Sequence, residues 1–150
     1  MVIPAELKTF IVAMSPIVEL RGAIPLAIKV YGLPIWQAFF LSVLGNLVPL
    51  LGIVFLGRPI ADWLSKQCQC FKKFFDWLFG KIGKKANSLL GKVGRDLTVL
   101  VLTAIPIPFV GGWTGAIAAI LLDAPKPRAA IMVILGTILS GIIVTFLSVI

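Results

Sequence analysis

Residues 15–25 read S-P-I-V-E-L-R-G-A-I-P, with Glu19 and Arg21 two positions apart, between prolines, inside a stretch otherwise apolar enough for a bilayer. An ionised side chain at the centre of a membrane helix costs roughly 2.5 to 3.5 kcal/mol on insertion scales, so this acid and base are expected to face protein or a water-filled cavity rather than acyl chains. On a continuous helix the two would point roughly 200° apart, whereas extended backbone would set them on one face. Their direct pairing therefore depends on how the chain bends after Pro16. In a functional reading, Glu19 binds a proton or cation and Arg21 holds an anionic group in a fork geometry. In a structural reading, the pair locks this segment to the other half of the protein.

The surroundings of this stretch define the class. The chain has 150 residues, 59% of them hydrophobic and 13% charged, and a mean hydropathy of +1.07, far from the make-up of a soluble globular domain. It reads as one integral membrane domain, residues 1–150, with no room for a separate soluble catalytic domain. Residues 35–56 and 129–150 are each uncharged and about 33 Å long at the helical rise, enough to cross a hydrocarbon layer of about 30 Å. Two other apolar stretches are broken: residues 9–28 by Pro16, the Glu19 and Arg21 pair and Pro25, and residues 97–122 by Pro106, Pro108, Gly111 and Gly112. Such breaks leave backbone groups that the bilayer interior does not satisfy, which predicts re-entrant hairpins or kinked crossings. Lys126 and Arg128 favour a hairpin in the second half, because it keeps them on the same side as the basic central segment.

That segment, residues 57–96, holds nine of the 14 Lys and Arg residues and three of the six acids. Apolar and aromatic residues from Ile60 to Ile82 recur there at three- and four-residue steps with lysines between them, the pattern of a helix lying on a membrane surface, with a break expected near Gly80 and Gly83. Its expected partner is anionic lipid; nucleic acid is not, since the segment lacks a folded basic surface with its own core. Cys68 and Cys70 read as free thiols. No metal or other cofactor is expected, because the chain has no histidine and only these two cysteines. The absence of histidine also argues against a Ser-His enzyme. The N-terminus lacks the pattern of a cleaved signal and is expected to be retained.

The two halves, residues 1–56 and 97–150, resemble each other. The string beginning at Gly22 can be laid over that beginning at Gly115, and L-G-N at Leu44 over L-G-T at Leu135. One hairpin and one crossing per half would give an inverted repeat, as in many carriers. The fold expected is therefore all-α: two inverted halves, each a re-entrant helical hairpin plus a transmembrane helix, linked by an amphipathic interfacial helix. Within the crossings, Asn46 with Ser42, Pro49 and Gly52 forms a face that another backbone could approach, and Thr137, Gly141 and Thr145 make a small-residue stripe. Trp113 and Thr114, beside Gly111, Gly112 and Gly115, could line a cavity. Substrate or ion contact is thus assigned to Glu19, Arg21, Asn46, Trp113 and Thr114.

S-P-I-V-E-L-R-G-A-I-P-L-A-I from Ser15, L-G-N from Leu44 and A-I-P-I-P followed by G-G-W-T-G from Ala104 resemble the small multi-drug export protein family over nearly the whole chain. The chain departs from that family after Pro108, where Phe109, Val110 and Gly111 stand in place of a Thr-Gly. A broader likeness is to the DedA and VTT membrane proteins. It implies paired re-entrant hairpins and proton-dependent lipid movement, with Glu19 and Arg21 as the ionisable residues and Pro25, Pro106 and Pro108 shaping the hairpins. The expected function is export of a small molecule, coupled to a proton or cation through Glu19 with Arg21 binding an anionic or amphiphilic substrate, by a homo-oligomer, a homodimer, in a prokaryotic cell membrane with residues 57–96 cytoplasmic. A lipid flippase or scramblase and a noncatalytic membrane organiser are the alternatives.

Overall fold

Proline decides where several of the helices begin and end. The computed structural model describes residues 2–107 and 110–150. Its helices are α1 (Ala5–Met14), α2 (Glu19–Lys29), α3 (Ile35–Gln67), α4 (Gln69–Val93), α5 (Arg95–Ala104), α6 (Gly112–Leu121) and α7 (Lys126–Val149), with no strand among the described residues. Ser15 ends α1 in an extended conformation, φ −68° and ψ 133°, because the ring of Pro16 crowds the α region of the residue before it. The second half uses the same device: Ile105 ends α5 at φ −74° and ψ 114°, ahead of Pro106. Pro108, assigned to the shaping of this break, lies outside the described residues, as does Phe109. Pro34 and Pro125 occupy the N-cap positions of the two long helices, α3 and α7.

Both broken segments return to where they start. At the open end of α1 and α2, the Lys8 ammonium lies 5.8 Å from the centroid of the Tyr31 ring. At the open end of α5 and α6, Arg95 Nη1 donates to the Asp123 carbonyl at 3.3 Å. Between them α3 and α7 run antiparallel, since Gly141 lies against Phe39 and Val43 while Lys126 reaches Phe55. Pro59 offers no N–H to the Phe55 carbonyl one turn back, and Lys126 Nζ supplies the donor instead, at 3.1 Å. With Arg95 beside Asp123, Arg58 paired to Asp123 and Arg128 3.9 Å from Asp96, the basic ends of both halves share one end of the molecule.

Neighbour relations repeat between the halves. Helix α1 packs on α2 and α3, as α5 does on α6 and α7; α2 touches α3 and α7, as α6 touches α7 and α3. Exchanging α1, α2 and α3 for α5, α6 and α7 returns the same set of pairs. The close approaches match as well. A Cβ on Gly45 would overlap the Phe10 carbonyl of α1, and one on Gly136 would sit 3.0 Å from the Leu100 carbonyl of α5. Gly52, by contrast, has nothing within 4 Å of a built Cβ, so Gly45 and not Gly52 marks the contact face of α3.

The main apolar core joins Leu50 and Val54 of α3, Val99 of α5, Ala116 and Ala119 of α6 and Val133 of α7. The outer faces are apolar too: Trp36, Phe40, Leu44 and Val48 are exposed at four-residue steps on α3, as are Ile131, Leu135 and Leu139 on α7. A surface of that kind is solvated by lipid rather than water. These helices are long and apolar enough to cross a membrane.

The central segment differs from the sequence expectation. Helix α3 continues to Gln67, taking in Ile60, Trp63 and Leu64, and the break falls at Cys68 (φ −151°, ψ 138°), not near Gly80 and Gly83. Cys68 Sγ accepts the Cys70 N–H at 3.3 Å, which caps α4; both cysteines are free and exposed. Helix α4 stays continuous through its glycines because one face is docked. Ile82 and Ala86 are buried against Leu102 of α5 and Ile117 and Ala118 of α6. Phe71, Phe74 and Trp77 remain exposed on the rest of its surface.

Candidate functional site

The site begins with a backbone conformation. Glu19 opens α2 in the left-handed region at φ 51°, which is uncommon for any residue but glycine. Residues two apart on a regular helix point away from each other, but this turn brings the side chains to one side. Arg21 Nη2 donates to Glu19 Oε2 at 2.8 Å. The Glu19 side chain is 4% exposed and that of Arg21 17%. Neither group projects into bulk solvent.

The second half meets the pair at its own break. A Cβ built on Gly111 would lie 3.1 Å from Glu19 Oε2 and 3.3 Å from Arg21 Nη2, so only glycine leaves the ion pair undisturbed there. Gly112, the first residue of α6, lies against Leu50 and the Asn46 amide of α3 by the same measure. The N-termini of α2 and α6 thus converge on the Glu19 carboxylate, and the partial positive ends of both helices favour a negative charge there. Asn46 stands midway along the uncharged run 35–56, which sets this junction far from either end of α3.

Between the two breaks is a cavity of about 600 Å³ lined by Glu19, Arg21, Pro106, Gly111, Trp113 and Thr114, among others. Pro16, at the first break, lines it as well. Two buried polar atoms near it have no hydrogen-bond partner among the described residues: Trp113 Nε1, a donor, and Asn46 Oδ1, an acceptor. Thr114 is buried on the same turn of α6. A second cavity, of about 290 Å³, shares Arg21 and Pro106 with the first and runs past Pro25 to Lys29 on one side and Leu147 and Ser148 of α7 on the other. No group of three or more metal-ligating side chains occurs among the described residues.

The structure therefore brings Glu19, Arg21, Trp113, Thr114, Gly111 and Gly112 together, with Asn46 behind Gly112. Lys29, which lines the second cavity, was not among the residues assigned to substrate or ion contact, although its spacing was legible. Arg21, Pro25 and Lys29 are four residues apart in turn and so share one face of α2. Gly141 and Thr137 of the small-residue stripe serve packing: Gly141 admits Phe39 and Val43 of α3, and Thr137 Oγ1 donates to Val133 O at 2.7 Å.

No curated protein and no solved structure matches the chain. A family model described as Putative small multi-drug export protein matches residues 19–143, a span that opens on Glu19 itself and takes in Arg21, Asn46, both glycines of the second break and most of α7. With most of its length so matched, the chain belongs to the small multi-drug export protein family.

Proposed function

We propose that this protein is an integral membrane transporter that exports small amphiphilic anions, with the Glu19–Arg21 pair as its exchange site. The observation that carries the reading is the buried ion pair at the junction of two broken helices, beside a cavity large enough for a small molecule. Arg21 has five N–H donors, and Glu19 is the acceptor bonded to it in this state. A proton or cation captured by Glu19 weakens that bond. Arg21 then takes up the anionic group of a cargo, and release of the proton or cation restores the pair and expels the cargo. Trp113 and Thr114 of α6 stand on the wall of the same cavity, beside the pair.

The architecture in this proposal is an inverted repeat, each half contributing a re-entrant hairpin and a crossing, and alternating access is the rocking of one half against the other. The matching neighbour relations and the paired contacts of Gly45 and Gly136 support it. Residues 57–96 lie on the cytoplasmic side, where the lysines of α4 meet anionic lipid, and the working unit is a homodimer. Cysteines introduced at Lys29 and Lys126 would then label from opposite faces of the membrane. Movement of lipid is the second reading, favoured by Val144 and Leu147 on the wall of the smaller cavity, which suit an acyl chain.

Flux in liposomes tests the proposal. Under a pH gradient the purified protein is expected to move an organic anion from a panel of cationic and anionic solutes, and Glu19→Gln to abolish that movement without unfolding the protein. Translocation of fluorescent lipid with no solute flux would favour the flippase. No flux of either kind, with Glu19→Gln altering only folding, would leave a membrane organiser.

A further inference from the structure

The smaller cavity has a polarity of its own. Its residues Arg21, Pro25 and Lys29 follow one face of α2 from the buried junction to the exposed end of the helix, and no carboxylate is among the described residues that line it. Pro25 has no N–H for the Arg21 carbonyl one turn back, so that turn of α2 is also weakened beside the cavity. The opposite wall, Val144 and Leu147, belongs to the apolar end of α7. A lysine in the last turn of a helix answers the helix dipole, which accounts for a cation at position 29. It does not account for a cavity that runs from that cation to a second one.

We infer that this cavity is a second binding subsite, a vestibule for the anionic group of an amphiphile. Lys29 holds a phosphate or carboxylate at the mouth, the apolar chain lies on Val144 and Leu147, and the anionic group passes from Lys29 to Arg21, the residue common to both cavities. The inference rests on the exchange role of Arg21 proposed above and adds to it a route and a cargo class. The anion can be the headgroup of a membrane lipid or a soluble amphiphile, which offer Lys29 the same chemistry.

The test is binding to the purified full-length protein in neutral detergent, followed by tryptophan fluorescence. The probes are dodecyl phosphate, inorganic phosphate, dodecyltrimethylammonium and phosphatidylglycerol. Dodecyl phosphate is expected to bind more tightly than inorganic phosphate and than the cationic amphiphile. Lys29→Gln should weaken it about fivefold, the loss of one half-solvated charge contact, while Lys29→Arg keeps it and Lys92→Gln, on α4, leaves it unchanged. Competition by phosphatidylglycerol would name lipid as the source, and its failure to compete a soluble amphiphile. As Lys29 is exposed, its replacement does not threaten the fold. A cysteine at position 29, with Cys68 and Cys70 replaced by serine, should also be shielded from thiol reagents by dodecyl phosphate. Wild-type affinity in Lys29→Gln together with loss of binding in the folded Glu19→Gln/Arg21→Gln double variant would overturn the vestibule and leave the exchange site standing. Indifference to both variants, or equal binding of the cationic amphiphile, would overturn both.

Discussion

Replacing Arg21 by glutamine strands a carboxylate that is 4% exposed, whereas Glu19→Gln strands a guanidinium that is 17% exposed and opens onto two cavities. Removing one member of a buried ion pair costs about 3–5 kcal/mol when the other is left charged and dry, and the full cost is expected for Arg21→Gln. Water in the cavities can solvate a lone Arg21, so Glu19→Gln should cost about 1–2 kcal/mol. In the double variant two neutral amides can bond to each other, and stability should return to within about 1 kcal/mol of wild type. The assay is unfolding in detergent micelles by circular dichroism, with liposome flux measured on the same preparations. The expected order of stability places the double variant close to wild type, Glu19→Gln below it and Arg21→Gln last. Equal damage from the two single substitutions, or a double variant as weak as Arg21→Gln, would refute the claim that desolvation of Glu19 sets the energetics. Flux separates function from scaffolding: a stable double variant that still transports would reduce the pair to a structural lock, while a stable and inactive one fits an exchange site.

Other contacts make sharper local tests. Gly45→Ala should destabilise the protein by about 1–3 kcal/mol, since its methyl group meets the backbone carbonyl of Phe10, which has little freedom to move. Gly52→Ala has open space and should instead stabilise by about 0.5–1 kcal/mol through helix propensity; thermal unfolding of the two variants side by side checks the opposite signs. Lys126→Met removes the donor to the Phe55 carbonyl and should cost about 1 kcal/mol. In a Pro59→Ala background an intrahelical N–H takes over that carbonyl, so the loss at Lys126 should shrink toward zero, and a double-mutant cycle that finds the two effects additive would contradict this account.

How much of this arrangement could be read from the sequence follows from the range of the interactions involved. A proline acts on the residue before it and the carbonyl four residues back, so the breaks after α1 and α5 were legible at Pro16 and Pro106, and the uncharged runs within α3 and α7 by length alone. Glycines are less decisive. Gly80 and Gly83 do not break α4, because burial of Ile82 and Ala86 on another part of the chain outweighs a local preference. The acid and base were legible as a candidate site, but their pairing was not, for it depends on the left-handed turn at Glu19. Gly111, which leaves room for that pair, was legible as a breaker of helix and as a neighbour of a cavity, but not as the residue against which the pair packs. Its packing against an ion pair formed in the other half is a tertiary relation that no spacing within residues 97–122 carries. The same division bears on the likeness between the halves. Its sequence trace is a few matched letters with a slip in register, whereas its physical content is a pair of carbonyl contacts, Gly45 on Phe10 and Gly136 on Leu100, and a set of helix neighbours that survives exchange of the halves. Such a contact requires a small residue facing a backbone and places no demand on most of the surrounding apolar letters. The likeness of the two halves is therefore plainer in their contacts than in their letters.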